Sequence, residues 1–78
     1  MTDRQQKILS LINKVTKKSE TPSPDESLFE SGYLDSFALP DLVAELEEAF
    51  SIRIPDSDLN PRKFDSIERI ESYLDQRG

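Results

Sequence analysis

Three Asp-Ser pairs, Asp35-Ser36, Asp56-Ser57 and Asp65-Ser66, stand in a chain with few other reactive groups. The 78 residues include no histidine, no cysteine and no tryptophan. That composition excludes a His/Cys zinc site, a thiolate nucleophile, a His-assisted serine nucleophile and a disulfide framework. Serine hydroxyls and carboxylates remain. A serine with no adjacent base does not activate itself, so covalent chemistry at such a serine has to be done by another protein. The default reading of Asp-Ser is a helix cap, and capping accounts for Asp56-Ser57 and Asp65-Ser66. Asp35-Ser36 has a different setting. It lies in the run Gly32-Tyr33-Leu34-Asp35-Ser36-Phe37, at an expected loop-to-helix junction. Free backbone N–H groups and the helix dipole at such a junction favour an anion, a phosphate included.

The elements that position this junction are helical. Ile8, Leu11, Ile12 and Val15 follow the i, i+3, i+4, i+7 spacing of one amphipathic face, with Leu9 beside it. Thr2 and Gln5 read as a capping box, which starts this helix near Asp3. Lys14, Lys17 and Lys18 fall near its end, where cations suit the dipole. Residues 19–27 are polar and hold Pro22 and Pro24, so they read as loop. Leu39, Leu42, Val43, Leu46 and Phe50 form a second stripe with no glycine in it. Pro55 turns the chain, Asp56 opens a single helical turn through Leu59, and Asn60-Pro61 ends it. The third long stripe is Ile67, Ile70 and Leu74, with Asp65 and Glu68 placed as a second capping pair. No β-alternation of useful length and no internal repeat is visible.

Amphipathic helices of this size bury a face only against one another. The expected fold is all-α: a small four-helix bundle of three longer helices and one short helix, forming one domain over residues 1–78. The connection between the first two helices is long, about 18 residues, and loops of that length are functional or disordered. This one carries Leu28, Phe29, Tyr33 and Leu34, so it is expected to lie over the bundle and fix its last residues on the surface.

The charge balance bounds the partners. The formal net charge is −6, which argues against nucleic acid because phosphates are repelled. No apolar run reaches the length needed to span a bilayer and no signal peptide is evident, so the expected location is cytoplasmic. An enzyme is disfavoured, since carboxylates alone are available for acid–base work and no pair is clearly placed in a pocket. At about 100° per residue, Asp41, Glu45 and Glu48 lie on the side of the second helix away from its apolar stripe. Phe37, Pro40 and Ala44 fall between Ser36 and these carboxylates. Taken alone, such a row of acids is a solvated helix face.

Wider context changes that reading. The stretch from Leu28 to Phe37, the helix that follows it, Ile52-Arg53-Ile54-Pro55-Asp56 and Phe64-Asp65-Ser66-Ile67 together resemble the acyl carrier protein family. The resemblance runs from Leu28 to Leu74, and its most specific part is the spacing of Phe29, Gly32, Leu34, Asp35 and Ser36. It implies a covalent 4′-phosphopantetheine arm on Ser36, with Asp35 as the motif neighbour. It also implies a non-enzymatic carrier of acyl, aminoacyl or D-alanyl groups as thioesters, in fatty-acid, polyketide or lipid biosynthesis. The implied partners are a phosphopantetheinyl transferase, an acyl- or aminoacyl-loading ligase and acyl-transfer enzymes with basic docking surfaces, acting on a monomer. Phe37, Pro40, Asp41, Ala44, Glu45 and Glu48 then become a docking face. An acidic helical adaptor without a prosthetic group is the reading from a different class. Phe37 stands where the family usually has leucine, and Pro40 where it usually has a non-proline residue. Both lean toward a specialised carrier loaded by a dedicated adenylating ligase. If the second helix began at Ser36, Pro40 would remove a donor in its second turn; with Leu39 as the cap, Pro40 would occupy the favoured first position.

Overall fold

Thr2 starts the first helix as the spacing predicts. Its hydroxyl accepts the Gln5 N–H at 3.1 Å and its own N–H donates to Gln5 Oε1 at 3.2 Å, closing a reciprocal capping box. In the computed structural model, which describes residues 2–77, this helix is α1 (Asp3–Thr16). It is followed by α2 (Leu39–Phe50), a single 3-10 turn (Asp56–Asp58) and α3 (Ile67–Arg77). Met1 and Gly78, the two ends of the expected domain, lie outside the described residues. No strand occurs among the described residues. The all-α expectation holds; the expected fourth helix is reduced to the one 3-10 turn.

α1 packs against both α2 and α3. Ile8 and Ile12 of α1, Leu42 and Leu46 of α2, and Ile67 and Ile70 of α3 are fully buried. Phe64, just ahead of α3, closes the core against Tyr73, with ring centroids 5.2 Å apart. Polar contacts fasten the helix ends. Asp75 pairs with Arg4, and Glu71 accepts from the Thr2 hydroxyl at 3.2 Å and from Gln5 Nε2 at 2.9 Å.

The start of α3 differs from its expected form. Ser66, and not Asp65, caps it: the Ser66 hydroxyl accepts the Arg69 N–H at 3.1 Å, and Ser66 itself is buried. Asp65 turns to the long connection instead. It accepts the Ser27 hydroxyl at 2.8 Å, while its backbone carbonyl accepts the Leu28 N–H at 2.6 Å. The neighbouring hydroxyl suffices as a cap and frees the carboxylate for a tertiary bond.

That connection, residues 17–38, is irregular yet pinned. Leu28 and Leu34 are fully or almost fully buried, and Tyr33 is buried with its hydroxyl bridging the Asn13 side chain and the Glu20 carbonyl. Lys18 reaches back to the Gly32 and Tyr33 carbonyls at 3.0 and 3.3 Å. Gly32 adopts φ +79, a left-handed conformation that glycine takes without strain.

Truncating the core should be costly in so small a domain. Leu46→Ala is expected to lower stability by about 2–5 kcal/mol in denaturant melts, since it opens a cavity at a fully buried site. Tyr33→Phe should lose about 0.5–1.5 kcal/mol by removing the hydroxyl that ties the connection to α1. Burial first, and then the Glu20 charge, raise the Tyr33 phenol pKa above its ordinary 10.0. The folded state thus favours the neutral phenol, and its stabilisation is complete below pH 10.0 and lost as pH rises beyond it. The gap between wild type and Tyr33→Phe should narrow above pH 10.0 in melts run across a pH series.

Candidate functional site

The chain between Tyr33 and Leu39 passes from the core to the surface and back. Leu34 and Leu39 are buried, while Asp35, Ser36 and Phe37 between them are exposed and Ala38 is half-buried. Two apolar anchors therefore hold a short turn outward. Asp35 closes that turn: the Ala38 N–H donates to its carbonyl at 3.1 Å and to its Oδ1 at 2.9 Å. This is the capping arrangement that Asp-Ser suggests, but it caps an isolated turn ahead of α2.

Pro40 is the reason the turn stays separate. A helix begun at Ser36 would bond the N–H of residue 40 to the Ser36 carbonyl, and proline has no N–H to give. Regular helix starts at Leu39, with Ala38 as the cap residue and Pro40 second in the helix. Of the two expected arrangements, the one with Ser36 outside the regular helix is found. Pro40 sits one position later than first because Ala38, and not Leu39, caps. The first full helical bond on this side runs from the Leu42 N–H to the Ala38 carbonyl, at 2.9 Å.

The Ser36 hydroxyl and the N–H groups of Ser36 and Phe37 have no hydrogen-bond partner among the described residues. A phosphate on this hydroxyl would meet free donors at the start of a helical turn. Among the described residues Phe37 is the exposed large apolar side chain, 89% accessible, next to Ser36 in the chain. The other two Asp-Ser pairs are unlike this one. Ser66 is buried and occupied as a cap, and Ser57 lies between Asp56 and Asp58 in the 3-10 turn.

On α2, Pro40, Asp41, Ala44 and Glu48 are exposed, in line with the expected outer face. Glu45 is half-buried and committed. It accepts from Lys14 of α1 at 2.6 Å, which raises the Lys14 pKa first through that bond and then through the carboxylate's charge. Lys14 reads in the sequence as a counter-charge to its own helix; no local signal links positions 14 and 45. Lys18, which fixes the Gly32–Tyr33 backbone ahead of the turn, is equally silent in sequence, because its partners are main-chain carbonyls. Glu47 is half-buried too, its Oε2 accepting the Ile54 N–H at 2.8 Å. Among the described residues no group of three or more acidic, His or Cys side chains is placed to hold a metal ion, and no helix is long and apolar enough to cross a membrane.

Residues 6–74 match the family described as the phosphopantetheine attachment site. The chain is 31% identical to the D-alanyl carrier protein of Lactobacillus acidophilus over 73 residues, which cover 94% of this chain and 92% of that one. It is 29% identical to the D-alanyl carrier protein of Streptococcus uberis, over 85% of this chain and 84% of that one. With the D-alanyl carrier protein of Leuconostoc mesenteroides it shares 28% identity, over 92% of this chain and 97% of that one. The match spans most of α1, the exposed turn, α2 and most of α3, and on it the chain belongs to the phosphopantetheine-binding carrier protein family, whose prosthetic group is 4′-phosphopantetheine held covalently on a serine.

Proposed function

We propose that Ser36 is the attachment serine and that the chain carries an aminoacyl group, D-alanine being the favoured cargo, as a single carrier domain. The observation that carries the site is the exposed, unpartnered Ser36 hydroxyl on a turn held between Leu34 and Leu39. The cargo reading rests on the relatives named D-alanyl carrier protein, and Phe37 and Pro40 support a dedicated loading partner. Those relatives favour an aminoacyl load over the fatty-acyl load of a general acyl carrier.

When attached, the arm supplies the thiol that holds the cargo as a thioester, which a chain without cysteine cannot offer itself. The protein's own residues position and present. Leu34 and Leu39 fix both ends of the turn, Asp35 holds its shape through the Ala38 N–H, and the unpartnered Ser36 and Phe37 N–H groups are left available to a phosphate. No base is built beside Ser36, so its proton leaves to a group on the transferase. Phe37, Pro40 and Ala44 offer a transferase or ligase an apolar contact, rimmed by Asp41 and Glu48. That composition suits a basic, partly apolar partner surface. Glu45 contributes less to this rim, because Lys14 already answers its charge.

Ser36→Ala should abolish arm addition, read as the mass of the intact protein after incubation with coenzyme A and a phosphopantetheinyl transferase. Ser57→Ala should be modified as wild type. Modification surviving in Ser36→Ala would overturn the site. The holo protein offered D-alanine, ATP and a D-alanine-adenylating ligase should gain an aminoacyl thioester. Loading by a fatty-acyl ligase, with none by the D-alanine ligase, would overturn the cargo.

Asp41→Lys with Glu48→Lys should slow arm addition chiefly through association, and the gap to wild type should close as salt rises. Phe37→Ala should slow it with little salt dependence. Equal rates for wild type and the charge-reversed protein at low salt would leave these carboxylates as a solvated face.

A further inference from the structure

The acidic chain carries one local reversal of sign. An open surface cavity of about 550 Å3 lies between the Asp58–Lys63 segment and α3, with Arg62, Lys63, Arg69, Ser72 and Gln76 on its walls. Among the described residues Asp58 is the one carboxylate lining it, against three cations. Asp58 is also bonded: it accepts from Lys63 at 2.9 Å and from the Tyr73 hydroxyl at 2.6 Å. Arg62 and Arg69 form no ion pair among the described residues.

α3 is sorted to produce this. Two of its three acids, Glu71 and Asp75, are taken up by Thr2, Gln5 and Arg4 at the start of α1, while Glu68 is exposed and does not line the cavity. Arg69, Ser72 and Gln76 line the cavity. The segment on the opposite wall is also fixed. The Arg62 N–H donates to Asn60 Oδ1 at 2.9 Å, and the Lys63 ammonium sits 5.9 Å from the centre of the Tyr73 ring. The cations are therefore carried on structured backbone.

We propose that this cavity binds a phosphomonoester. Among the described lining residues, three cations against one carboxylate leave two positive charges, and a phosphomonoester carries about −1.5 to −2 at neutral pH, where a carboxylate carries one negative charge. Two unpaired guanidinium forks match the oxygens of a phosphate bidentately, and the Ser72 hydroxyl and Gln76 amide add neutral donors. The site needs no prosthetic arm and involves none of the residues around Ser36.

The test uses the full-length, isotope-labelled chain near pH 8, where a phosphomonoester is almost wholly dianionic, about 2 units above its second pKa, and inorganic phosphate is mostly so. Inorganic phosphate and acetate are titrated at fixed ionic strength, and amide shifts are followed by NMR. Saturable shifts confined to residues 58–63 and 69–76, with phosphate at least about tenfold tighter than acetate, are expected. Arg62→Gln with Arg69→Gln should weaken phosphate binding about tenfold or more, while Lys7→Gln with Lys17→Gln, the same loss of charge elsewhere, should leave it near wild type. Ser36→Ala should bind as wild type, which separates this site from the attachment reading. Phosphatidylcholine vesicles with and without phosphatidic acid decide the source of the phosphate. Sedimentation that needs both phosphatidic acid and the two arginines assigns it to a lipid headgroup; phosphate saturation without vesicle binding assigns it to a soluble ester. No response to either probe, equal affinity for phosphate and acetate, or equal weakening by the two double variants overturns the proposal.

Discussion

The exposure of Ser36 rests on the burial of Leu34 and Leu39. The chain has no cysteine to tie a loop down and no strand among its described residues to pair one with. Apolar contact is what holds the turn, and a fully buried leucine gains about 1.5–3 kcal/mol over an exposed one. Everything nearer the hydroxyl follows from that. Asp35 can spend both its carbonyl and its carboxylate on shaping the turn, because neither has to anchor it. Further back, Leu28 seats irregular backbone in the core, the Tyr33 hydroxyl ties it to α1, and the Lys18 ammonium ties the start of the connection to its end. The long connection is thereby as much a part of the packed structure as the helices it joins.

Most of the helical frame was legible from residue spacing, and the reason is local. Thr2 and Gln5 form a capping box within four residues, and the Leu39, Leu42, Val43 and Leu46 stripe encodes its own buried face. What depended on partners distant in sequence was not legible. Asp65 fits a cap by every neighbouring residue, yet it bonds to Ser27, and Ser66 takes the capping role. Glu45 fits a free acidic face by helical geometry, yet it lies close enough to α1 to meet Lys14. The exposed turn at Ser36 falls between these cases. Its position was evident from the spacing of Phe29, Gly32, Leu34, Asp35 and Ser36. Its separation from α2 follows from Pro40, and only the cap residue, Ala38, differs by one position from the expected Leu39.

The charges of the chain are arranged by element more than by count. Asp41 and Glu48 are exposed on α2, while two of the three acids of α3, Glu71 and Asp75, are taken up at its junction with α1. Apart from Lys14, which answers Glu45 of α2, several cations are placed elsewhere: Lys18 on the connection, Arg62, Lys63 and Arg69 at the cavity. A net charge of −6 thus conceals two regions of opposite sign. Each is available to a different kind of partner, and salt screens both where they are exposed.

Pro40 has a mechanical consequence. In an uninterrupted helix, load applied at the first turn is shared along the ladder of backbone bonds. Here the rung from residue 40 to Ser36 is chemically impossible, so a tug on the Ser36 side chain is not carried into α2 through that rung. It is borne at the hinges, by the side chains of Leu34 and Leu39 seated in the core. A partner that pulls or swings a group attached at Ser36 would then reorient four residues and leave the helix that it grips unmoved.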